Sequence, residues 1–292
     1  MESRIKINLR DQNFPGDDSS CHGSNSEYIE WIRTNEPVSD TVILTDLCLQ
    51  DIHKASKSIK RKVAWILEPR AIHPHVYEWI ERNNRLFDFV FTFDTDLINR
   101  GENYLYYPHG RCWIPKDWKR TKAPTKRISI IASGKDYAPG HKLRHEVINR
   151  LATKHNIDVY GYGYKPVKNK TEALEDYAFS ITIENSIQPG YWTEKIVDCF
   201  AVGTIPLFWG DKSINKFFNP EGIVFFDNIE HLDWILSGNL IDEFLKSFTD
   251  PASVFSSKIS KMVSACAQNK DTVETYRVPE DWMFKNYNWI FT

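Results

Sequence analysis

The sequence predicts an α/β fold made of two doubly wound parallel sheets, each in a domain of its own. Strand-like and helix-like segments alternate along almost all of the 292 residues. A basic, proline-containing stretch without periodicity interrupts this alternation once, near the middle of the chain. The length suits two domains of ordinary size, and 41% hydrophobic with 26% charged residues is typical of a globular protein.

The first domain is expected over residues 1–115, where short apolar runs bounded by turn residues alternate with segments of helical periodicity. This order is typical of a parallel sheet with helices on both faces. The predicted strands are 5–9, 41–44, 62–67, 87–93 and 104–107, and the predicted helices are 24–34, 47–56 and 74–83.

A linker is expected over residues 116–126, and the second domain over 127–275. Helix 140–155 shows Leu143, Val147 and Leu151 at a spacing of four residues, which places them on one face. The predicted strands are 127–132, 158–160, 179–183, 205–209 and 223–226, and the other predicted helices are 172–177, 193–202, 214–218, 229–236, 241–248 and 252–269. The aromatic tail 276–292 is expected to pack back against the first domain.

Composition and charge exclude several classes of protein. A net charge of −2 argues against a global electrostatic attraction to nucleic acid or to an acidic membrane. Five scattered cysteines without a C-x-x-C pair predict neither a zinc site nor a disulfide framework, and they favour a reducing compartment. The first residues lack the apolar core of a signal peptide, and no run reaches the ~18 apolar residues of a membrane span. We therefore expect a soluble, cytoplasmic protein.

One segment of the second domain places polar groups at the end of a strand and at the start of a helix. The strand ends in Glu184 and Asn185, and a Gly/Pro turn follows. Thr193 is a favourable N-cap, which puts Glu194 and Lys195 in the first helical turn. A lysine there opposes the helix dipole by a few tenths to ~1 kcal/mol, and a bound anion would reverse the sign. An isolated lysine would simply be solvated, but the converging Asn185 and Glu194 favour a phosphate site.

A second basic helix start follows an earlier strand of the same domain. A Gly/Pro loop leads into a helix that carries Lys142 and Arg144 in its first turns. Backbone N–H groups at such a helix start bind anions, and a guanidinium grips phosphate oxygens with two donors. A solvated basic helix start would explain either segment alone. Together the two starts predict one diphosphate lying between Arg144 and Lys195.

Two residues of the first domain are candidates for a general base. Glu68 follows strand 62–67, where a carboxylate at a strand's carboxyl end faces ligands. His109, which follows strand 104–107 and has Arg111 near it, is the rival. The structural alternative for Glu68 is an ion pair with Arg70 or with another surface arginine, so the choice of base stays open at this point.

Two further patterns resemble metal sites, and we favour the simpler interpretation of each. Asp94 and Asp96 form a D-x-D pattern, but Asp94 or Thr95 stands where a helix N-cap is expected. His73 and His75 flank Pro74 and would bind a metal only if carboxylates joined them. No metal site is therefore predicted. No G-x-G-x-x-G follows the first strand, which weakens a dehydrogenase interpretation.

The segment 179–210 resembles the donor-binding motif of glycosyltransferase family 10, the α-1,3/1,4-fucosyltransferases. Three elements carry the resemblance: E-N-S at 184–186, Y-x-T-E-K at 191–195 and G-T-I-P-L-x-W-G at 203–210. The nine-residue step from Asn185 to Glu194 also matches. The sequence K-L-R-H, which contains Arg144, is similar to the arginine-bearing helix of the family. The likeness is strong over about 127–227 and thin before it.

The resemblance implies a GT-B fold, with its two domains facing a cleft, and an enzyme that uses GDP-fucose with inversion at the anomeric carbon. Arg144 and Lys195 would hold the diphosphate, Asn185 and Glu194 would contact the nucleotide-sugar, and Glu68 would be the base. The remaining expected donor-binding residues are Lys142, Glu184, Tyr191 and Thr193. No metal ion is expected to be essential. The acceptor would be a saccharide, and the chain resembles a soluble microbial or viral member.

Two alternatives of different kinds are kept. The same fold could use another nucleotide-sugar donor or a modified nucleic-acid base as acceptor. A nucleic-acid partner is not expected from the overall charge, although a basic linker cluster could act locally; it consists of Lys116, Lys119, Arg120, Lys122 and Lys126. The second alternative is an inactive carbohydrate-binding protein, which the joint presence of Arg144, Asn185, Glu194 and Lys195 argues against.

Overall fold

The computed structural model describes residues 3–14, 19–120, 122–250 and 256–292, which form two compact units. The first unit comprises the chain up to Trp113 together with Gln188–Tyr191 and Thr275–Thr292. The second unit comprises Ile114–Ile187 and Trp192–Glu274. Each unit is built on one sheet of parallel strands, which confirms the predicted α/β class.

The sheet of the first unit has six strands, all paired in parallel. In chain order they are β1 (Ile5–Arg10), β2 (Ile29–Ile32), β3 (Thr41–Thr45), β4 (Arg61–Trp65), β5 (Phe89–Thr92) and β6 (Tyr104–Tyr106). Their spatial order is β2-β1-β3-β4-β5-β6. The direction in which strands are added therefore reverses between β1 and β3.

The helix predicted over 24–34 is wrong, because residues 29–32 form the edge strand β2. Ile29 and Trp31 are buried while the residues between and after them are half-buried, and this alternation has the period of a strand. The helix predicted over 47–56 is a 3-10 helix at Asp46–Lys54. The other helical segments of this part are α1 (Pro74–Asn83), a 3-10 turn (Asn84–Leu86) and α2 (Thr95–Ile98).

The sheet of the second unit has five parallel strands. They are β7 (Lys126–Ile131), β8 (Asp158–Tyr160), β9 (Tyr177–Ile183), β10 (Ile205–Trp209) and β11 (Val224–Phe225). The spatial order is β11-β10-β9-β7-β8, so the order reverses between β7 and β9. Every residue of the central strand β9 is buried.

In this part of the chain, helices alternate with the strands of the second sheet and then continue to the C-terminus. They are α3 (Pro139–His155), α4 (Thr171–Leu174), α5 (Glu194–Val202), α6 (Ile229–Ser237), α7 (Leu240–Thr249), α8 (Ser257–Tyr276) and α9 (Pro279–Phe291). The helix predicted over 172–177 ends early because Tyr177 begins β9, and the helix predicted over 214–218 is a 3-10 turn at Lys212–Lys216. The helix predicted over 252–269 begins partly outside the described residues and runs on to Tyr276.

The C-terminal helix α9 belongs to the first unit. Met283, Ile290 and Phe291 lie in the same buried apolar cluster as the strands β1, β4 and β5. The buried carboxylate of Glu280 accepts hydrogen bonds from the backbone N–H of Ser20 (2.7 Å) and from another side chain of this unit. The aromatic tail is therefore part of the core of the first unit, as the sequence predicts.

Candidate active site

The reversal of strand order in the second unit brings two chain segments together. In an open parallel sheet, ligands bind outside the carboxyl ends of the strands at such a reversal. The chain leaves β7 into the start of α3, and it leaves β9 at Glu184 and Asn185. The backbone N–H of Gly140 donates to the carbonyl oxygen of Asn185 at 2.9 Å. The two segments singled out by the sequence are thus in direct contact.

A glycine makes this contact possible. A Cβ atom on Gly140 would lie 1.7 Å from the carbonyl oxygen of Glu184, which no side chain tolerates. The start of α3 can therefore rest on the end of β9 only because residue 140 has no side chain. The 17-residue helix α3 directs its first backbone N–H groups and the positive end of its dipole towards this edge of the sheet.

Arg144 is held beside Asn185. Its guanidinium is 6% exposed, and its Nε and Nη2 atoms both donate to the carbonyl oxygen of Ile183, the former at 3.1 Å. Nη2 also donates to Oδ1 of Asn185 at 3.1 Å. Two of the predicted donor-binding residues are therefore adjacent, and the arginine is fixed by the backbone before any ligand arrives.

Glu184 links the end of β9 to the start of α5. Its carboxylate accepts from the backbone N–H of Thr193 (2.8 Å) and from its hydroxyl, and it lies 3.3 Å from Nζ of Lys195. Thr193 is the N-cap of α5, as predicted, since its hydroxyl accepts from the N–H of Lys195. Glu184 itself is 0% exposed. Glu184 therefore holds Thr193 and Lys195 in position, and its contact with the donor stays a prediction.

Two residues that the sequence analysis missed hold Glu194. The ammonium of Lys170 lies 2.7 Å from the carboxylate of Asp198 and 3.5 Å from that of Glu194. Burial disfavours the charged form of this lysine, but the two carboxylates outweigh it and raise the pKa of Lys170 above its ordinary value. Lys195 pairs with the same Glu194 oxygen at 3.5 Å. Only the i, i+4 spacing of Glu194 and Asp198 could have indicated this network.

Positive charge converges on the start of α3. Burial lowers the pKa of His141 to about 4, and the charges of Arg144, Lys135 and Lys195 act in the same direction. His141 Nδ1 accepts from the backbone N–H of Ala138 at 3.3 Å, which suits a neutral imidazole. Arg144 binds Ile183 and Asn185, and Lys195 pairs with Glu184 between them, so both predicted phosphate-binding cations are held by the same three-residue segment at the end of β9.

Two of the predicted donor-binding residues lie elsewhere. Lys142 is exposed and stands two positions from Arg144, which is a little over half a turn of the helix away. Tyr191 belongs to the first unit, where it is 1% exposed and packs against the rings of Phe93 (5.1 Å) and His109 (5.6 Å). The structure therefore assigns Tyr191 to the core of the first unit and separates Lys142 from the buried cations.

In the first unit, Glu68 follows the carboxyl end of β4, as expected, and is half-buried. The alternative partner Arg70 pairs instead with Asp94 (2.9 Å) and Glu81 (3.1 Å). The rival base His109 is 4% exposed. Because a base must reach a proton on a bound substrate, the greater exposure of Glu68 favours it, and the choice between the two stays a prediction.

The patterns that resemble metal sites have structural roles or incomplete ligand sets. Asp94 is the N-cap of α2, since its Oδ1 accepts from the backbone N–H of Leu97 at 2.8 Å, which confirms the cap interpretation. The rings of His73 and His75 lie 5.6 Å apart. Within the described ranges, no group of three or more His, Cys, Asp or Glu side chains is arranged to hold a metal ion.

The basic linker cluster is used largely within the second unit. Arg120 donates to the carbonyl oxygens of Gly203 (2.9 Å) and Glu175 (2.7 Å). Lys122 and Lys126 both pair with Asp176, at 2.8 and 3.4 Å. These charges stabilise the unit, which weakens the case for a nucleic-acid acceptor. Among the residues described, no helix is long and apolar enough to cross a bilayer.

Two Rossmann-like units of this kind are typical of the GT-B fold of glycosyltransferases. Residues 123–236 match the family model described as glycosyltransferase family 10 (fucosyltransferase), C-terminal domain. The chain is 44% identical over 71 residues to an α-(1,3)-fucosyltransferase FucT of Helicobacter pylori, which covers 24% of this chain and 15% of that protein. Residues 123–236 are thus similar to glycosyltransferase family 10, and the same segment carries Arg144, Asn185 and Lys195.

The similarity extends beyond this domain. The chain is 23% identical over 216 residues to the mouse 4-galactosyl-N-acetylglucosaminide 3-alpha-L-fucosyltransferase 9, covering 70% of this chain and 59% of the relative. A crystal structure of an α1,3-fucosyltransferase with GDP shares the fold at a TM-score of 0.51 and 21% identity, covering 94% of this chain and 91% of the other. The chain spans less than two thirds of the length of the curated relatives it matches.

The close approach at Gly140 makes a direct prediction. Gly140→Ala should push α3 away from β9 and weaken binding of GDP by about tenfold or more, because 1.4 kcal/mol of lost contact is a factor of ten. Gly134→Ala is the matched control, since a Cβ there meets no atom within 4 Å. Titration calorimetry with GDP measures both variants. Equal affinities for the two would contradict the role of this contact.

Proposed function

We propose that this chain transfers fucose from GDP-fucose to a saccharide hydroxyl, with inversion at the anomeric carbon. The observation that carries the proposal is that Arg144 and Lys195 are both held by the end of β9, where Arg144 binds Ile183 and Asn185 and Lys195 pairs with Glu184. The family of residues 123–236 supports fucose as the sugar. The finding that Lys170 and Glu184 hold the surrounding residues supports a site that exists before the donor binds.

The second unit supplies the charge that the reaction needs. The bond from C1 of fucose to the diphosphate oxygen breaks through an oxocarbenium-like transition state, and negative charge grows on the leaving GDP. Arg144, Lys195 and the first N–H groups of α3 stabilise that charge. Because side chains and backbone donors provide this stabilisation, we expect no metal ion to be essential for turnover.

The first unit supplies the base. The carboxylate of Glu68 takes the proton of the acceptor hydroxyl while the hydroxyl oxygen forms its bond to C1. The new bond forms on the face opposite the departing diphosphate, so one displacement inverts the configuration. The products are GDP, the fucosylated saccharide and a proton on Glu68, which the solvent then removes.

We also propose a reducing compartment, the cytoplasm or the cytoplasm of a host if the chain is viral. No disulfide joins the five cysteines, all of which lie in described parts of the chain. Burial raises the pKa of the Cys21 and Cys199 thiols to about 12, so both remain protonated and unreactive at neutral pH.

The donor assignment is tested with a panel of nucleotide-sugars and a lysine variant. At ~100 times its dissociation constant the correct donor should stabilise the protein by ~2.7 kcal/mol in a thermal-shift assay. GDP-fucose should exceed GDP-mannose, UDP-sugars and dTDP-sugars. Lys195→Ala should remove this stabilisation and turnover, while the exposed Lys216→Ala should keep both. If another nucleotide-sugar gave the largest shift, the same fold with a different donor would be favoured. If no nucleotide-sugar gave a shift, an inactive carbohydrate-binding protein would be favoured.

The base assignment is tested separately. Glu68→Gln keeps the size of the side chain but cannot take a proton, so kcat should fall by ~10²–10⁴. Its affinity for GDP, which concerns the second unit, should stay at the wild-type value. His109→Gln serves as the comparison: if it abolished kcat while Glu68→Gln did not, the base would be His109.

The lowered pKa of His141 gives a pH-dependent readout. Between pH 6.5 and about 4 the unfolded chain binds a proton that folded His141 does not, so stability should fall as the pH is lowered through this window. A bound diphosphate offsets the nearby cations and should raise the pKa of His141 by ~1 unit. NMR titration with GDP measures the change, and guanosine, which lacks phosphates, is the control. Equal titration curves with the two ligands would place the phosphates elsewhere.

A further inference from the structure

Two residues of the first unit have an uncommon backbone conformation, and one of them lies beside Glu68. In the described chain, the non-glycine residues with positive φ are Asp46 (23°), Arg111 (73°) and Asn156 (52°). Asn156 is the left-handed C-cap of α3, an ordinary position for asparagine. Asp46 and Arg111 interact electrostatically with each other, and Asp46 also does so with Glu68. Such a conformation costs on the order of 1 kcal/mol or more, so the surroundings of Asp46 must hold it in place.

The side chain of Asp46 shows what holds it. Asp46 directly follows the strand β3. The strand β4 lies next to β3 in the sheet and ends three residues before Glu68. Oδ1 of Asp46 accepts from the backbone N–H of Leu67 at 2.8 Å, and Oδ2 accepts from the N–H of Glu68 at 3.0 Å. The carboxylate is 2% exposed. Both of its oxygens are thus bound to two consecutive peptide groups beyond the end of the strand.

Two tyrosines hold the carbonyl groups of the same short segment. Tyr107 Oη donates to the carbonyl oxygen of Ile66 at 2.8 Å, and Tyr77 Oη donates to that of Glu68 at 2.9 Å. Asp46 thus binds the N–H groups of Leu67 and Glu68, and the two tyrosines bind the carbonyl groups of Ile66 and Glu68. Because a peptide chain turns only about φ and ψ, this arrangement fixes the direction in which the Glu68 side chain leaves the backbone.

We propose that Asp46 is a positioning residue for Glu68: its carboxylate binds the two peptide N–H groups that aim the base at the acceptor hydroxyl. This inference rests on the proposed function, in which Glu68 takes the acceptor's proton. A displacement of a reacting group by ~1 Å costs ~10²-fold in rate, so a residue that never touches the substrate can control turnover in this way.

Electrostatics couples the two acids as well. Burial raises the pKa of Asp46 to about 8, the N–H bond of Leu67 opposes this, and the charge of Glu68 raises it further. Ionisation of either acid therefore disfavours ionisation of the other. The N–H bonds of Leu67 and Glu68 act against burial, because they stabilise the charged form of Asp46 that binds them.

The decisive experiment is Asp46→Asn with a matched variant at the other end of the same strand. Asp88 accepts the backbone N–H of Lys62 at 2.7 Å, also a carboxylate bond to β4 but remote from Glu68. Both variants should lower the melting temperature. Asp46→Asn should in addition lower kcat by ~10–100-fold with the KM for GDP-fucose unchanged, whereas Asp88→Asn should leave kcat at the wild-type value. Equal kcat values for the two variants would overturn the proposal.

A double-mutant cycle separates positioning from general loss of structure. In a Glu68→Gln background the base is already gone, so Asp46→Asn should cause no further fall in kcat. A further fall of the same size there would show that Asp46 acts independently of Glu68 and would refute the inference. If Asp46→Asn does not fold, Tyr77→Phe replaces it, because this variant releases the carbonyl oxygen of Glu68. Tyr77→Phe should lower kcat several-fold, and an unchanged kcat would also refute the inference. Absence of fucose transfer by the wild-type protein would instead refute the proposed function.

Discussion

The contact between the start of α3 and the end of β9 is the constraint on which the candidate donor site depends. It exists because Gly140 lets two backbones approach to a distance that a side chain would forbid. Once α3 rests there, Arg144 reaches the last carbonyl oxygen of β9 and the side chain of Asn185. Glu184, which lies before Asn185 in the chain, pairs with Lys195 in the first turn of α5. One backbone contact thus orients two helix starts.

The charges around this contact balance before any ligand binds. Lys170 and Lys195 pair with three carboxylates, which belong to Glu184, Glu194 and Asp198. Arg144, bound to Asn185 and to the carbonyl oxygen of Ile183, supplies a third positive charge. Like-charged neighbours in a partly buried place would otherwise repel one another. Affinity for a diphosphate therefore cannot come from a large excess of positive charge. It must come from donors held in the correct directions, which is how preorganised sites stabilise transition-state charge.

Local signals were sufficient for the parts of the fold that are local. Helix 140–155 and the Thr193 cap were predictable because periodicity and capping act within a few residues. The segment 24–34 was mistaken for a helix because its strand depends on pairing with β1. Lys170 and Asp46 were missed for a related reason: their partners lie more than twenty residues away in the chain, and only the strand order brings them near.

The same topological rule locates the candidate residues of both units, although only the second unit carries the family motif. In the second sheet the order reverses between β7 and β9, and the cations lie beyond those two strands. In the first sheet it reverses between β1 and β3, and Asp46 follows β3 directly. Asp46 then binds the end of the next strand, where Glu68 emerges. The first unit lies almost entirely outside the matched residues 123–236, so its candidate acid is located by strand order and not by the family match.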